Sequence, residues 1–81
     1  MNADEIYKAL MEILQDHLNV TAPVALDTAL LGDGVLDSMD FMNYITRVEE
    51  TFNIRISNQD LAGYQLGIIR NMVKYLEQRL R

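Results

Sequence analysis

Apolar residues near the start of the chain recur at intervals that only a helix turns into a face. From Asp4 to Asn19, Ile6, Leu10, Ile13, Leu14 and Leu18 are separated by four, three, one and four positions, which puts them on one stripe of a 3.6-residue helix. Asp4 and Glu5 fall in its first turn, where carboxylates complement the positive end of the helix dipole, and Pro23 prevents it from running on, so it is predicted to stop near Asn19. The rhythm returns from Ser38 to about Asn53 through Met42, Ile45, Val48, Glu49 and Phe52, widened by Phe41 and Tyr44. Asp37 is the expected N-cap, and Asp40 is placed to return a carboxylate to the cap as in a capping box. A last stripe of Ile69, Met72, Val73, Leu76 and Leu80 predicts a helix from Ile68 to Arg81, with Lys74, Arg79 and Arg81 toward its negative end.

The intervening segments lack that period. Residues 20–36 hold Val20, Val24, Leu26, Leu30, Leu31, Val35 and Leu36, too many apolar side chains for a free linker, so this long loop is expected to lie across the core, with a short turn capped within Asp27-Thr28-Ala29-Leu30. Gly32 and Gly34 permit tight geometry before the next helix, and Asn53 can close that helix. Ile54-Arg55-Ile56 reads as an extended link with both isoleucines facing one way. Ser57 or Asn58 can cap a short helix through Leu61 and Ala62, ended by Gly63. The fold class is therefore all-α: a four-helix bundle with three long helices, one short third helix and a long first loop, forming a single domain over residues 1–81. Met11, Met42 and Met72 are assigned to its core, and His17 to a packed or half-exposed structural position.

Composition narrows the function. With 49% hydrophobic and 23% charged residues in 81 positions, the chain has the balance of one small folded domain. Twelve acids against seven Lys and Arg give a net charge of -5, which repels phosphate backbones and anionic lipid and favours basic protein partners over nucleic acid or membrane insertion. There is no cysteine and one histidine, so thiolate catalysis, disulfides and Cys-based metal sites are closed. The acidic start and the lack of any apolar run near the ~18 residues of a membrane span point to a cytoplasmic address, and a monomer is expected. Residues 1–32 hold five acids and one base, residues 33–60 six acids and two bases, and residues 61–81 one acid and four bases.

The densest chemistry lies at Leu31-Gly-Asp-Gly-Val-Leu-Asp-Ser-Met39, where a glycine-bearing loop meets a capped helix. Ser38 occupies the first helical position with its hydroxyl outward, among Asp33, Asp37 and Asp40 and without a neighbouring histidine. Carboxylates are weak bases for a serine nucleophile, so covalent catalysis by Ser38 is not expected. A phosphate ester on the same oxygen would lie against the unsatisfied amides of a helix N-terminus, which makes Ser38 a residue suited to modification.

Gly34-Val35-Leu36-Asp37-Ser38-Met39 resembles the attachment motif of acyl carrier and peptidyl carrier proteins, usually written Asp-Ser-Leu, and Val48-Glu49-Glu50-Thr51-Phe52-Asn53-Ile54-Arg55-Ile56 is similar to that family's helix end and following link. The Leu-Asp-Ser-Met and Phe-Asn-Ile-Arg-Ile segments also resemble D-alanyl carrier proteins. The resemblance implies a stand-alone, non-catalytic carrier in which Ser38 receives 4'-phosphopantetheine from coenzyme A through a phosphopantetheinyl transferase. An acyl or aminoacyl group is then held as a thioester and presented to ligase, synthase or transferase enzymes. Such an arm imports the sulfur that the polypeptide lacks.

Asp37, Met39, Asp40, Glu49 and Glu50 become the expected partner-recognition residues, and Val48, Ile56, Leu61 and Tyr64 the expected border of a cargo cleft between the second and third helices. Asn43 and Arg47 make the second helix less acidic than is usual among fatty-acid carriers and favour small or polar cargo. Tyr64-Gln-Leu-Gly67 lengthens the connection before the last helix. The competing reading is a small acidic helical adaptor that binds a protein partner without modification.

Overall fold

The computed structural model describes residues 1–81 and contains four α-helices: α1 (Ala3–Glu12), α2 (Ser38–Phe52), α3 (Asn58–Gly63) and α4 (Ile69–Arg79). The all-α fold class follows, and the only extended pairing is a single antiparallel bridge between Ala29 and Ile68. None of the helices is long and apolar enough to cross a membrane.

α1 begins one residue earlier than the periodicity predicts, because Asn2 and Glu5 form a reciprocal capping box. The Asn2 side chain accepts from the Glu5 amide at 2.9 Å, and the Glu5 carboxylate accepts from the Asn2 amide at 3.0 Å. Its end is less regular than expected: Ile13–His17 widens into a π-helical turn, after which Asn19 enters the left-handed region at φ 56°. The Val20 amide closes this end on the Leu14 carbonyl at 2.9 Å, and Ile13 and Leu14 both remain buried. His17 is left exposed at the rim, not packed.

α2 follows its predicted bounds, and Asn53 ends it in the left-handed conformation at φ 55°. Asp37 caps it by accepting from the Asp40 amide at 2.8 Å, but Asp40 does not return the bond, so only half of the expected box forms. The buried stripe is Phe41, Tyr44, Ile45, Val48 and Phe52. Met42, expected in the core, is 50% exposed, because the helix turns the neighbouring Phe41 and Tyr44 inward and they bury more apolar area than the thioether. Met72 is fully buried and Met11 packs partly buried against the core.

α1 packs along α4, and the π-helical turn packs on α2. The core these elements share includes Ile6, Leu10, Tyr44, Val48, Ile69, Met72 and Leu76. The long loop crosses it as anticipated: Leu30 and Leu36 are buried, and a compact turn forms in which Asp33 accepts from the Ala29 amide at 2.9 Å and Gly34 takes φ 74°. The Tyr64–Gly67 segment supplies what holds the loop. Leu66 is fully buried, Gln65 is left-handed at φ 50°, and the Gly67 carbonyl accepts from the Leu30 amide at 2.9 Å. The Ile69 amide donates to the Thr28 carbonyl and the Arg70 amide to the Leu26 carbonyl, at 3.2 and 2.7 Å.

α3 contributes no buried residue of its own. Ser57 caps it through the Asp60 amide at 3.0 Å, and Tyr75 of α4 donates to the Asp60 carboxylate at 2.7 Å while receiving a bond from Arg79. Burial, followed by that bond to Asp60, raises the Tyr75 pKa.

Two consequences for stability can be measured. Leu66→Ala removes a fully buried side chain between the two clamped segments and should cost ~2–5 kcal/mol in denaturant unfolding. Tyr44 is fully buried and its hydroxyl has no hydrogen-bond partner, so Tyr44→Phe should leave stability unchanged or raise it by ~1 kcal/mol. Desolvation raises the Tyr44 pKa. The unfolded chain ionises this phenol near pH ~10 while the folded chain keeps its proton, so the folded state loses stability as pH rises beyond that value. The phenylalanine variant should lose less stability there in alkaline melts.

Candidate functional site at the start of helix α2

The clamp between the long loop and the α3–α4 connection delivers the chain through Gly34 and the buried Leu36 to a fixed helix start. Ser38 is the first residue of α2, it is exposed, and its hydroxyl makes no hydrogen bond within the chain. The Asp37 carboxylate is committed to the Asp40 amide, and His17 lies on a different part of the surface, lining a notch with Asn43, Thr46, Arg47 and Glu50. No base is therefore aimed at Ser38. The Ser38 and Met39 amides have no backbone partner, since the first bonds of the helix come from Asp40 and Phe41 back to Asp37. A phosphoryl group attached to the Ser38 oxygen fits this arrangement: it is accessible, it meets two free amides at the positive end of a helix of full length, and it displaces no existing hydrogen bond.

The predicted recognition residues divide into two groups. Asp37, Ser38, Met39 and Asp40 cluster at the helix start, with Met39 76% exposed. The exposed Met42 lies one turn on from Met39 and extends this apolar surface. Glu49 and Glu50 sit at the opposite end of α2, about 17 Å from Ser38 along the helix axis. Glu50 is exposed, whereas the half-buried Glu49 carboxylate accepts from the Ile56 amide at 2.8 Å and fastens the link between α2 and α3.

The four residues expected around a cargo cleft do not converge. Val48 is fully buried in the core, Ile56 packs partly buried in the link, and Tyr64 is 60% exposed with its ring 5.5 Å from that of Tyr75. Leu61 alone borders a hollow of about 440 Å³, which is also lined by Leu31, Phe41, Ala62, Gly67 and Ile68. Phe41 is one turn from Ser38, and its ring lies where a side chain at Gly67 would make contact, at 3.6 Å. Helical periodicity assigns Phe41 to the core and does not distinguish its buried edge from the edge that faces this hollow. Gly67 followed by Ile68 was the local signal, a residue without a side chain next to an apolar one.

Residues 8–76 match a family model described as a phosphopantetheine attachment site. The chain is similar to an acyl carrier protein of Guillardia theta, with 30% identity over 99% of this chain and 98% of the relative. It is similar to one of Amoebophilus asiaticus, with 35% identity over 94% of each chain, and to one of Syntrophus aciditrophicus, with 31% identity over 86% of each. No solved structure matches the chain at comparable significance. A family match that spans α1 to α4, with relatives similar over most of both lengths, places the chain in the acyl carrier protein family, whose covalent cofactor is 4'-phosphopantetheine.

Proposed function

We propose that the chain is a carrier domain over residues 1–81, acting in the cytoplasm, which bears the phosphopantetheine arm on Ser38 and presents acyl cargo to successive enzymes. The observation that carries this reading is the exposed Ser38 hydroxyl beside the free amides of Ser38 and Met39, with no base positioned to make it a nucleophile. When attached, the arm supplies the thiol on which cargo is held as a thioester. Ser38 provides the tether, and the α2 N-terminus offsets the negative charge of the linkage, while Asp37 and Asp40 oppose its collapse onto the helix.

The partners are a phosphopantetheinyl transferase and acyl-activating or acyl-transferring enzymes. Asp37 and Asp40 would steer basic surfaces onto the helix start, Met39 and Met42 would supply adaptable apolar contact, and Glu50 would act at the far end. Each exposed charge contact is worth roughly 1 kcal/mol or less, which suits a carrier that must release each enzyme in turn. Glu49 contributes through the link it fastens. The hollow beside Phe41 and Leu61 is the place we assign to the apolar part of a cargo. Its volume of about 440 Å³ lies toward the small end of ligand pockets, which span ~300–1,000 Å³, and so favours short chains.

Two measurements test this function. Intact mass after incubation with coenzyme A and a broad-specificity transferase should rise by one phosphopantetheinyl group, and Ser38→Ala should abolish the gain. An unchanged mass for the wild-type chain would favour the unmodified adaptor. Loading a short acyl chain such as butyryl should shift the amide resonances of Phe41, Leu61, Ala62 and Ile68 relative to the unloaded form. Shifts confined to Ser38, Met39 and Asp40 would place the cargo in solvent.

A further inference from the structure

α2 carries one basic residue, Arg47, in a chain with twelve acids, and the only histidine is His17. The fold brings these two side chains to a single notch of about 360 Å³, lined by His17, Leu18, Asn43, Thr46, Arg47 and Glu50. The π-helical turn is what puts His17 there: it widens the end of α1 where that end packs on α2, leaving Leu18 half-buried and His17 exposed beside it. Asn43, Thr46, Arg47 and Glu50 follow one another at three, one and three positions, one stripe of α2.

Arg47 makes no ion pair or hydrogen bond, although Glu50 is one turn away, and the ion pair that the chain does form joins Arg70 to Asp27 elsewhere. The Thr46 hydroxyl is turned back to the Met42 carbonyl at 3.0 Å, so its proton does not compete for a ligand. What remains at the notch is a guanidinium, an imidazole and the Asn43 amide, all donors or potential donors, with Glu50 as the sole acid at one end.

We propose that this notch receives a carboxylate side chain presented by a docking protein, held by the Arg47 guanidinium and the His17 ring. A guanidinium meets a carboxylate through two parallel hydrogen bonds, and the imidazole supplies a further donor from a second element, so the approach direction is fixed. Glu50 repels an acid placed at its own end and confines the incoming carboxylate to the Asn43 side. The α2 surface is consequently two-signed, with acids around Ser38 drawing a basic group and the notch two to three turns on drawing an acidic one. A partner bearing only basic residues along that face meets Arg47 as an opposing charge, which is a means of rejecting it. The inference deepens the carrier reading by stating what a partner must present, but it rests on side chains that need no prosthetic arm.

The unmodified chain therefore suffices for the test, so loss of the Ser38 modification and failure of the notch are read separately. Isotope-labelled protein is titrated with hexaglutamate, with hexalysine and with inorganic phosphate at fixed pH and ionic strength. Hexaglutamate should move the His17 ring and Arg47 Nε resonances about tenfold more than those of Arg70, Lys74 and Arg79, and more than equimolar phosphate does. Arg47→Gln should abolish the response at His17, and Arg47→Glu should transfer it to hexalysine; both changes lie on the exposed face and should leave the melting temperature unaltered. Shifts spread evenly over the exposed cations, a His17 response that survives Arg47→Gln, or an equal effect of phosphate would each overturn the proposal.

Discussion

The path into the start of α2 is held by three main-chain hydrogen bonds that tie the long loop to the start of α4 and the segment before it. The amides of Leu30, Ile69 and Arg70 meet the carbonyls of Gly67, Thr28 and Leu26, and the fully buried Leu30 and Leu66 flank the clamp. Without it, the Leu26 and Thr28 carbonyls and the Leu30 amide would turn to water; those bonds and the burial of Leu30 offset the entropy lost in holding a long loop in one path. With it, the chain arrives at Asp37 from a fixed direction, and the α2 N-terminus is presented as a rigid, exposed edge.

That arrangement divides α2 into a packed side and an exposed side. Phe41, Tyr44, Ile45, Val48 and Phe52 are committed to the core, and the other side of α2 carries the Ser38 hydroxyl, two exposed methionines and the alternating charges. Glu49 shows how the division is drawn, since its carboxylate faces the link and accepts from Ile56, while the neighbouring Glu50 faces solvent. α3 stands apart from both roles. It has no buried residue, and it is held by the Ser57 cap, the half-buried Leu61 and the bond from Tyr75 to Asp60, which makes it the element of lowest packing next to the hollow near Ser38.

Helix boundaries were legible in the sequence where a local interaction sets them. Asp37 caps α2 because its carboxylate reaches an amide three residues away, and Asn53 ends it because asparagine tolerates the left-handed conformation. The capping box at Asn2 and Glu5 is equally local, but Asn2 lies four residues ahead of Ile6, outside the apolar stripe, and the periodicity alone starts the helix one residue late. Ser38 stands out for the same reason: its exposure follows from being the first residue after a cap, and its chemistry from the amides that every helix start leaves free.

The remainder depended on segments distant in sequence. Periodicity places Met42 and Phe41 on adjoining parts of one broad apolar face, and only packing against α1, the loop and α4 decided that Phe41 turns inward and Met42 out. The cleft expected from Val48, Ile56, Leu61 and Tyr64 became a hollow around Leu61, Phe41 and Ile68, because α3 is stacked through Tyr64 on Tyr75 and tied through Asp60 to the same ring. The Tyr64–Gly67 segment shows no role in the sequence alone, because the Gly67 carbonyl meets the Leu30 amide, thirty-seven positions earlier. The sequence by itself determined the helices, the Asp37 and Ser57 caps and the exposure of Ser38 at the α2 start, because those follow from contacts within a turn or two. The rotation of each helix, the path of the long loop and the meeting of His17 with Arg47 were decided by tertiary structure, since each depends on which distant surface excludes water from which face.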